Sequence, residues 1–252
     1  GEGNTSIGTE SMDDNTTGGD NTAVGRFALQ KNTTASGNTA IGKEALEFNT
    51  TGASNTAVGF QALEVNTTGG FPSALGYHAL ESNTTGARNT AIGYEAGRSL
   101  TTGSNAVLIG HSAGASLTTN SGSVAIGYQA GDGFTGSNNF VAIGQSAFSG
   151  TGGMVESVGV GKSVGSAMSS GQWNVFVGHN AASGRSAGTS NIAIGYIANQ
   201  KGTGSNNVAI GSSSVKNLTS GSGNVGIGTN ALSMTTSGIG NVAIGHEALV
   251  SN

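Results

Sequence analysis

Aliphatic residues recur along this chain on a fixed beat. An Ile, Val or Leu stands directly before a glycine at Gly8, Gly25, Gly42, Gly59, Gly76, Gly93, Gly110, Gly127, Gly144, Gly161, Gly178 and Gly195, with 17 residues between successive glycines. One step of 16 reaches Gly211, and Gly228 and Gly245 restore the spacing, which makes fifteen copies. With the glycine as position 0, position −3 is Thr or Ser in the first six copies (Thr5 to Thr90) and Val or Ile in the last nine (Val107 to Val242). Position −2 is mostly Ala. This period-two alternation predicts a short strand over −4 to −1, with the −3 and −1 side chains on one face and −2 on the other.

A fixed period of this size is the mark of a solenoid in which each repeat is one coil stacked on the next. The chain is therefore expected to be all-β, a parallel β-solenoid of fifteen 17-residue coils forming one repeat domain over residues 1–252. Coils about 4.8 Å apart would make a rod on the order of 70 Å long. The recurrent glycine predicts either a positive φ or a neighbouring backbone too close for a Cβ. Position +3 is Ala in twelve copies, so a second short strand over +2 to +5, after a tight turn at 0 and +1, is the simplest expectation.

Positions +4 and +7 trade one bulky slot. Leu29, Leu46, Leu63 and Leu80 at +4 accompany Asn32, Asn49, Asn66 and Asn83 at +7; later, Gly97, Gly114, Gly131 and Gly165 accompany Leu100, Leu117, Phe134 and Met168. This reads as a swap that keeps core volume. Positions +6 to +12 carry Thr, Asn, Ser and Gly and predict a polar loop, and the one-residue deletion falls there, in Thr203-Gly204-Ser205-Asn206. A loop absorbs a deletion, whereas a strand would turn its side chains to the opposite face.

Composition narrows the picture. Glycine is 46 of 252 residues and charged residues only 9%, yet the regular aliphatic column separates the chain from disordered Gly-rich sequence. Nine basic against 13 acidic residues give a net charge of −4, which argues against nucleic acid as a partner. There is no cysteine, and no apolar run approaches the roughly 18 residues of a membrane span, so neither disulfides nor membrane insertion is expected. The chain starts mid-repeat without Met, and is read as a piece of a longer fibre.

The pattern at Asn38-Thr39-Ala40-Ile41-Gly42 and Ser123-Val124-Ala125-Ile126-Gly127 resembles the head repeats of trimeric autotransporter adhesins, the YadA-like left-handed β-roll. It is similar also to repeats of phage and bacterial tail-fibre proteins, and the resemblance covers the whole chain. It implies a left-handed roll, a homotrimer, an extracellular place on a cell surface or virion fibre, and attachment to a glycan or host-surface receptor.

Repeats disperse convergent groups, so no enzymatic activity, metal or cofactor is expected. His78, His111, His179 and His246 fall in separate copies, and no Ser/His/Asp constellation stands out. Asn15-Thr16-Thr17 and its copies match the glycosylation sequon, but repetition produces the match automatically and a hydrogen-bonded Asn ladder explains it better. The candidate binding stripe is position +1, where Phe60, Tyr77, Tyr94, His111 and Tyr128 occupy successive copies. The rival function is an ice-binding solenoid presenting Thr rows. Whether −3 and −1 point into the coil, allowing a monomer, or outward, where three chains would bury them about an axis, is left open by periodicity.

Overall fold

The computed structural model describes residues 1–136 and 138–251, which contain strands, turns and loops and no helix. The chain is a parallel β-solenoid, and it divides into two compact units, Gly1–Ser123 and Val124–Asn252. In the first unit the strands are Thr5–Ile7, Thr22–Val24, Thr39–Ile41, Thr56–Val58, Ser73–Leu75, Thr90–Ile92 and Val107–Ile109. Each pairs with the next in parallel register, Thr22 on Thr39 and Thr39 on Thr56. The second unit repeats this through Val124–Ile126, Val141–Ile143, Val158–Val160, Val175–Val177, Ile192–Ile194, Val208–Ile210, Val225–Ile227 and Val242–Ile244. The 16-residue step is absorbed outside the strands, since Ile192 still faces Val208 and Ile194 faces Ile210.

The −2 side chain is the one that points inward. Ala23, Ala40, Ala57 and Ala91 are fully buried, while Ile41, Leu75 and Ile92 at −1 are 39–49% exposed. The interior is too narrow for more: Ala28, Ala45 and Ala62 at +3 and Leu29, Leu46 and Leu63 at +4 fill the rest of it. In the second unit aromatic rings take over. Phe148 lies 6.1 Å from Phe176 and 5.9 Å from Phe134, and a Cβ on Gly159 would come within 2.8 Å of the Phe148 ring.

The expected second strand over +2 to +5 does not form. These residues make a turn in which +2 and +4 are left-handed, as at Phe27 (φ 61°), Leu29 (φ 53°), Glu44 (φ 61°) and Leu46 (φ 51°). The physical reason lies in the burial of adjacent residues. Ala28 and Leu29 both point inward, whereas successive residues of a strand face opposite sides. Left-handed steps turn the chain so that both can face the core. The amides then divide their work: Ala28 N–H closes a turn on the Gly25 carbonyl (3.2 Å), while Leu29 N–H reaches the Ala45 carbonyl of the next coil (2.9 Å). The loop also departs from expectation in the second unit, where Gly153–Val155 pairs with Ser170–Gln172 and Gly184–Arg185 with Lys201–Gly202.

The shared slot at +4 and +7 is real. Leu80 and Leu100 are both fully buried, and a Cβ built on Gly114 would stand 2.7 Å from Leu117 Cδ1. The backbone adds a second reason for glycine in the later copies: Gly97 (φ 61°) keeps the left-handed geometry that Leu80 (φ 51°) adopts against its preference.

Candidate functional site

All fifteen recurrent glycines lie at the corner after the strand, with φ between 125° and 145°. Both sequence readings hold together there. A Cβ on Gly93 would meet the Gly110 carbonyl oxygen at 2.5 Å, and one on Gly127 would meet Gly144 at 2.7 Å. Glycine lets consecutive coils approach and sends the +1 residue outward beside the −1 residue.

Four of the five stripe residues come together in the first unit. Ring centroids of Phe60 and Tyr77 are 5.2 Å apart, those of Tyr77 and Tyr94 5.1 Å, and those of Tyr94 and His111 4.9 Å, with interplanar angles of 16°, 3° and 19°. Lys43 at +1 of the preceding coil places its ammonium 5.0 Å from the Phe60 centroid, capping the column with a cation–π contact. Tyr128 belongs to the second unit and is 48% exposed. There the +1 column is irregular, with His179 and Tyr196 tilted by 32° at 5.5 Å. The inner faces of Tyr77 and Tyr94 are covered by their neighbours, so the column offers ring edges and hydroxyls rather than open faces.

The flank of the column is acidic, which periodicity alone did not reveal. Glu44 at +2 and Glu47 and Glu64 at +5 bring one carboxylate oxygen each within 4.8 Å of one another. Desolvation first, then the neighbouring carboxylates, pushes the Glu64 carboxyl above its ordinary value; Glu47 is raised likewise, against the pull of Lys31 and Lys43. Further along, Glu81 accepts from Arg98 Nε (3.0 Å) and faces His78 Nδ1 at 2.5 Å, and the His78 ring lies 4.0 Å from that of Tyr77. The first unit carries five basic and ten acidic residues, net −5; the second carries four and three, net +1.

Polar ladders fix the opposite side of the coil. At +7, Asn49 Nδ2 donates to Asn32 Oδ1 (3.1 Å), Asn66 to Asn49 (2.8 Å) and Asn83 to Asn66 (2.8 Å). Asn32, Asn49, Asn66 and Asn83 are fully buried, so these sequons serve the ladder and are closed to glycosylation. A second Asn ladder at −4 was missed from the sequence, although it was visible there as the residue opening Asn-Thr-Ala-Ile-Gly. Asn21 N–H donates to Asn4 Oδ1, Asn38 N–H to Asn21 Oδ1 and Asn55 N–H to Asn38 Oδ1, each at 2.9 Å. At +8 in the first unit, the hydroxyls from Thr16 to Thr101 are each spent on the carbonyl of the next Thr, as from Thr50 to Thr67 (3.0 Å).

The second unit buries one cation, Arg185, at +7. It fills the apolar slot and donates to Asn199 Oδ1 (2.8 Å), Ala187 O (3.2 Å), Lys201 O (3.3 Å) and Gly204 O. Burial pulls its pKa down to about 10. Two of these carbonyls belong to the segment around the 16-residue step, so Arg185 supplies the donors that the shortened coil calls for.

Compared with known proteins, the chain matches no family model and no curated sequence. Among the described residues no helix is long and apolar enough to cross a membrane.

Proposed function

We propose that the chain is a structural and adhesive module of an extracellular fibre, acting as a homotrimer and without enzymatic activity. The observation that carries this reading is the outer sheet face of the second unit. Val and Ile occupy both −3 and −1 in all eight of its main strands, and every one of them is exposed or half-exposed. Two unbroken aliphatic rows over eight coils cover on the order of 350 Å², the size of the largest apolar patch on an ordinary monomer, and such a patch is often functional. Three copies packing these faces about an axis bury the rows and close the assembly. The ladders suit a load-bearing element, since each coil is tied to the next by backbone and side-chain bonds. Receptor or glycan contact falls to the exposed aromatic column of the first unit, Phe60 to His111.

Light scattering at micromolar concentration tests the association. A mass three times 24.5 kDa supports the reading, and a mass of one chain refutes it. Ile194→Asp is expected to release folded monomers.

A second reading, an ice-binding solenoid, is favoured by one observation. In the first unit Thr22, Thr39, Thr56 and Thr90 face outward at −3, their hydroxyls bond to no protein group, and the aliphatic −1 row runs beside them. Such a regular Thr and aliphatic face suits ordered water. Thermal hysteresis in the wild type that disappears in Thr39→Lys and Thr56→Lys supports that reading; its absence at millimolar protein removes it.

A further inference from the structure

The aliphatic rows leave one property of the proposed trimer undetermined. Every coil of the second unit presents Val or Ile at −3 and at −1, so a chain shifted by one coil along its neighbour would bury the same side chains. Axial register needs residues that do not repeat, and the rims of the face carry them. Position −5 bounds each strand on one side and +1 on the other, and both share the outward parity of −3 and −1. All fifteen −5 residues are left-handed, with φ between 51° and 73°. Gly, Asn or Ser fills ten of these positions, and the exceptions are Asp20, Phe71, Arg88, Glu156 and Trp173.

The acids of one rim match bases of the other. Glu156 and Lys162 bracket the strand Val158–Val160, and Asp20 and Arg26 bracket Thr22–Val24 in the first unit. Only three copies have a base at +1 (Arg26, Lys43 and Lys162), and two of the three stand level with the two acids at −5. All four residues are exposed, and among the described residues none of them has an ion-pair partner in its own chain. Six steps of mostly extended backbone hold the members of each pair on the order of 15–20 Å apart, so they cannot meet within one chain. One coil beyond Glu156, exposed Trp173 donates its indole N–H to the Glu156 carboxylate at 2.5 Å, and exposed His179 stands level with Trp173 on the other rim. Both charged pairs lie outside the coils of the Phe60–His111 column.

We propose that these rims set the axial register of the trimer: Glu156 of each chain pairs with Lys162 of the neighbouring chain, with Trp173 against its His179 one coil further on. The inference rests on the trimer reading and adds a register to it. In a cyclic trimer the three faces turn toward one axis, so the −5 rim of each chain meets the +1 rim of the next at the same level, in three identical seams. A slip of one coil would set Glu156 against Gln145 or His179 and lose the Glu–Lys pair in every seam. Exposed ion pairs add little affinity, but a pair that forms in one register alone selects that register.

The full wild-type chain, treated with a water-soluble carbodiimide at micromolar concentration, tests the pairing. The reagent joins a carboxylate to an amine only where the two touch. It should give covalent trimers on a denaturing gel and, by mass spectrometry, a peptide linking Glu156 to Lys162. Charge variants read by light scattering are an independent check. Glu156→Lys should raise the concentration at which trimers dissociate at least tenfold, because the repulsion acts at three seams. Adding Lys162→Glu should restore the wild-type value. Moving the base by one coil, with Lys162→Gln and Gln145→Lys, keeps the net charge and should leave the trimer as weak as Lys162→Gln alone. Glu156, Lys162 and Gln145 are exposed, and far-UV circular dichroism checks that the variants stay folded. A trimeric wild type without the Glu156–Lys162 link, or a double reversal no stronger than Glu156→Lys, overturns the register inference and leaves the trimer standing. A monomeric wild type removes both.

Discussion

Pro72 interrupts the −4 ladder, and replacing it should stabilise the first unit. In neighbouring coils the −4 residue is Asn, whose amide donates to the Asn Oδ1 of the preceding coil and whose Oδ1 accepts from the next. Proline has no N–H, so Asn55 Oδ1 is buried without a partner. On the other side, the Asn89 amide lacks the ladder acceptor that the Asn38 amide finds in Asn21. The backbone itself is in register: Thr56 N–H reaches the Pro72 carbonyl at 3.0 Å, as Thr39 N–H reaches that of Asn55 at 2.8 Å. Pro72→Asn therefore restores three bonds. Its N–H meets Asn55 Oδ1, its Oδ1 meets the Asn89 amide, and its Nδ2 meets the Gly86 carbonyl as Asn38 Nδ2 meets that of Gly52 (3.1 Å).

At about 1 kcal/mol net per bond the gain is about 3 kcal/mol. Losing proline's restriction of the unfolded chain gives back about 0.4–1 kcal/mol. The balance is about 2 kcal/mol of stabilisation, more than tenfold in the opening equilibrium of the surrounding coils. Because solenoid units open locally, native-state hydrogen exchange is the proper assay. The amides of Asn55 and Asn89 should exchange at least tenfold more slowly in the variant. Unchanged protection at Asn89, or a lower denaturation midpoint, would refute the ladder argument.

Three further outcomes are expected. Gly127→Val forces a β-branched residue to φ 132° with its Cβ 2.7 Å from Gly144, and should lower stability by more than about 1 kcal/mol in a denaturant titration; an unchanged midpoint counts against the corner constraint. Leu80→Gly should cost about 2–5 kcal/mol as a cavity, and adding Asn83→Leu should recover most of it; a double variant no better than the single would show that the slot is not shared. Glu64 has its pKa raised in the folded state, so the native unit binds its proton more tightly than the unfolded chain. That contribution is fully present below about pH 4.5 and is lost as pH rises through the elevated folded value. The urea midpoint of the first unit should therefore gain more on acidification from pH 7 in the wild type than in Glu64→Gln.

The architecture was legible because the solenoid repeats its constraints. Period, strand position and the +4/+7 trade follow from residue type at fixed spacing. The turn over +2 to +5 was not legible, because Leu and Phe at left-handed φ contradict local preference and are held there by the bonds to adjacent coils. The direction of −3 and −1 was not legible either, since alternation defines two faces without naming the inner one. The narrow Ala-filled interior decided it. At the candidate site the column was visible as a run of rings, but its acidic flank was not, because Glu44 and Glu47 come from different repeat positions that only the folded turn brings beside Glu64.

The defects in the ladders show how such an array tolerates divergence. A ladder residue is bonded on both sides, so one substitution orphans a neighbour rather than itself. Pro72 leaves Asn55 Oδ1 bare, and the change from Asn83 to Leu100 at +7 leaves Asn83 Oδ1 bare. The second defect explains why Leu80 and Asn83 are the better pair for the swap. Leu63 and Asn66 sit inside the ladder, and replacing Asn66 would leave Asn49 Oδ1 only the long bond from Asn55 Nδ2 (3.4 Å) and take from Asn83 Nδ2 its side-chain acceptor. Replacing Asn83 only moves the ladder's end back one coil, to Asn66. Where a coil is one residue short, the cost is met differently, by a guanidinium long enough to reach carbonyls across the gap at Arg185. Coil-to-coil bonding thus confines each departure to its nearest neighbours, and that confinement lets the strand register survive a proline, a deletion and a buried cation in one chain.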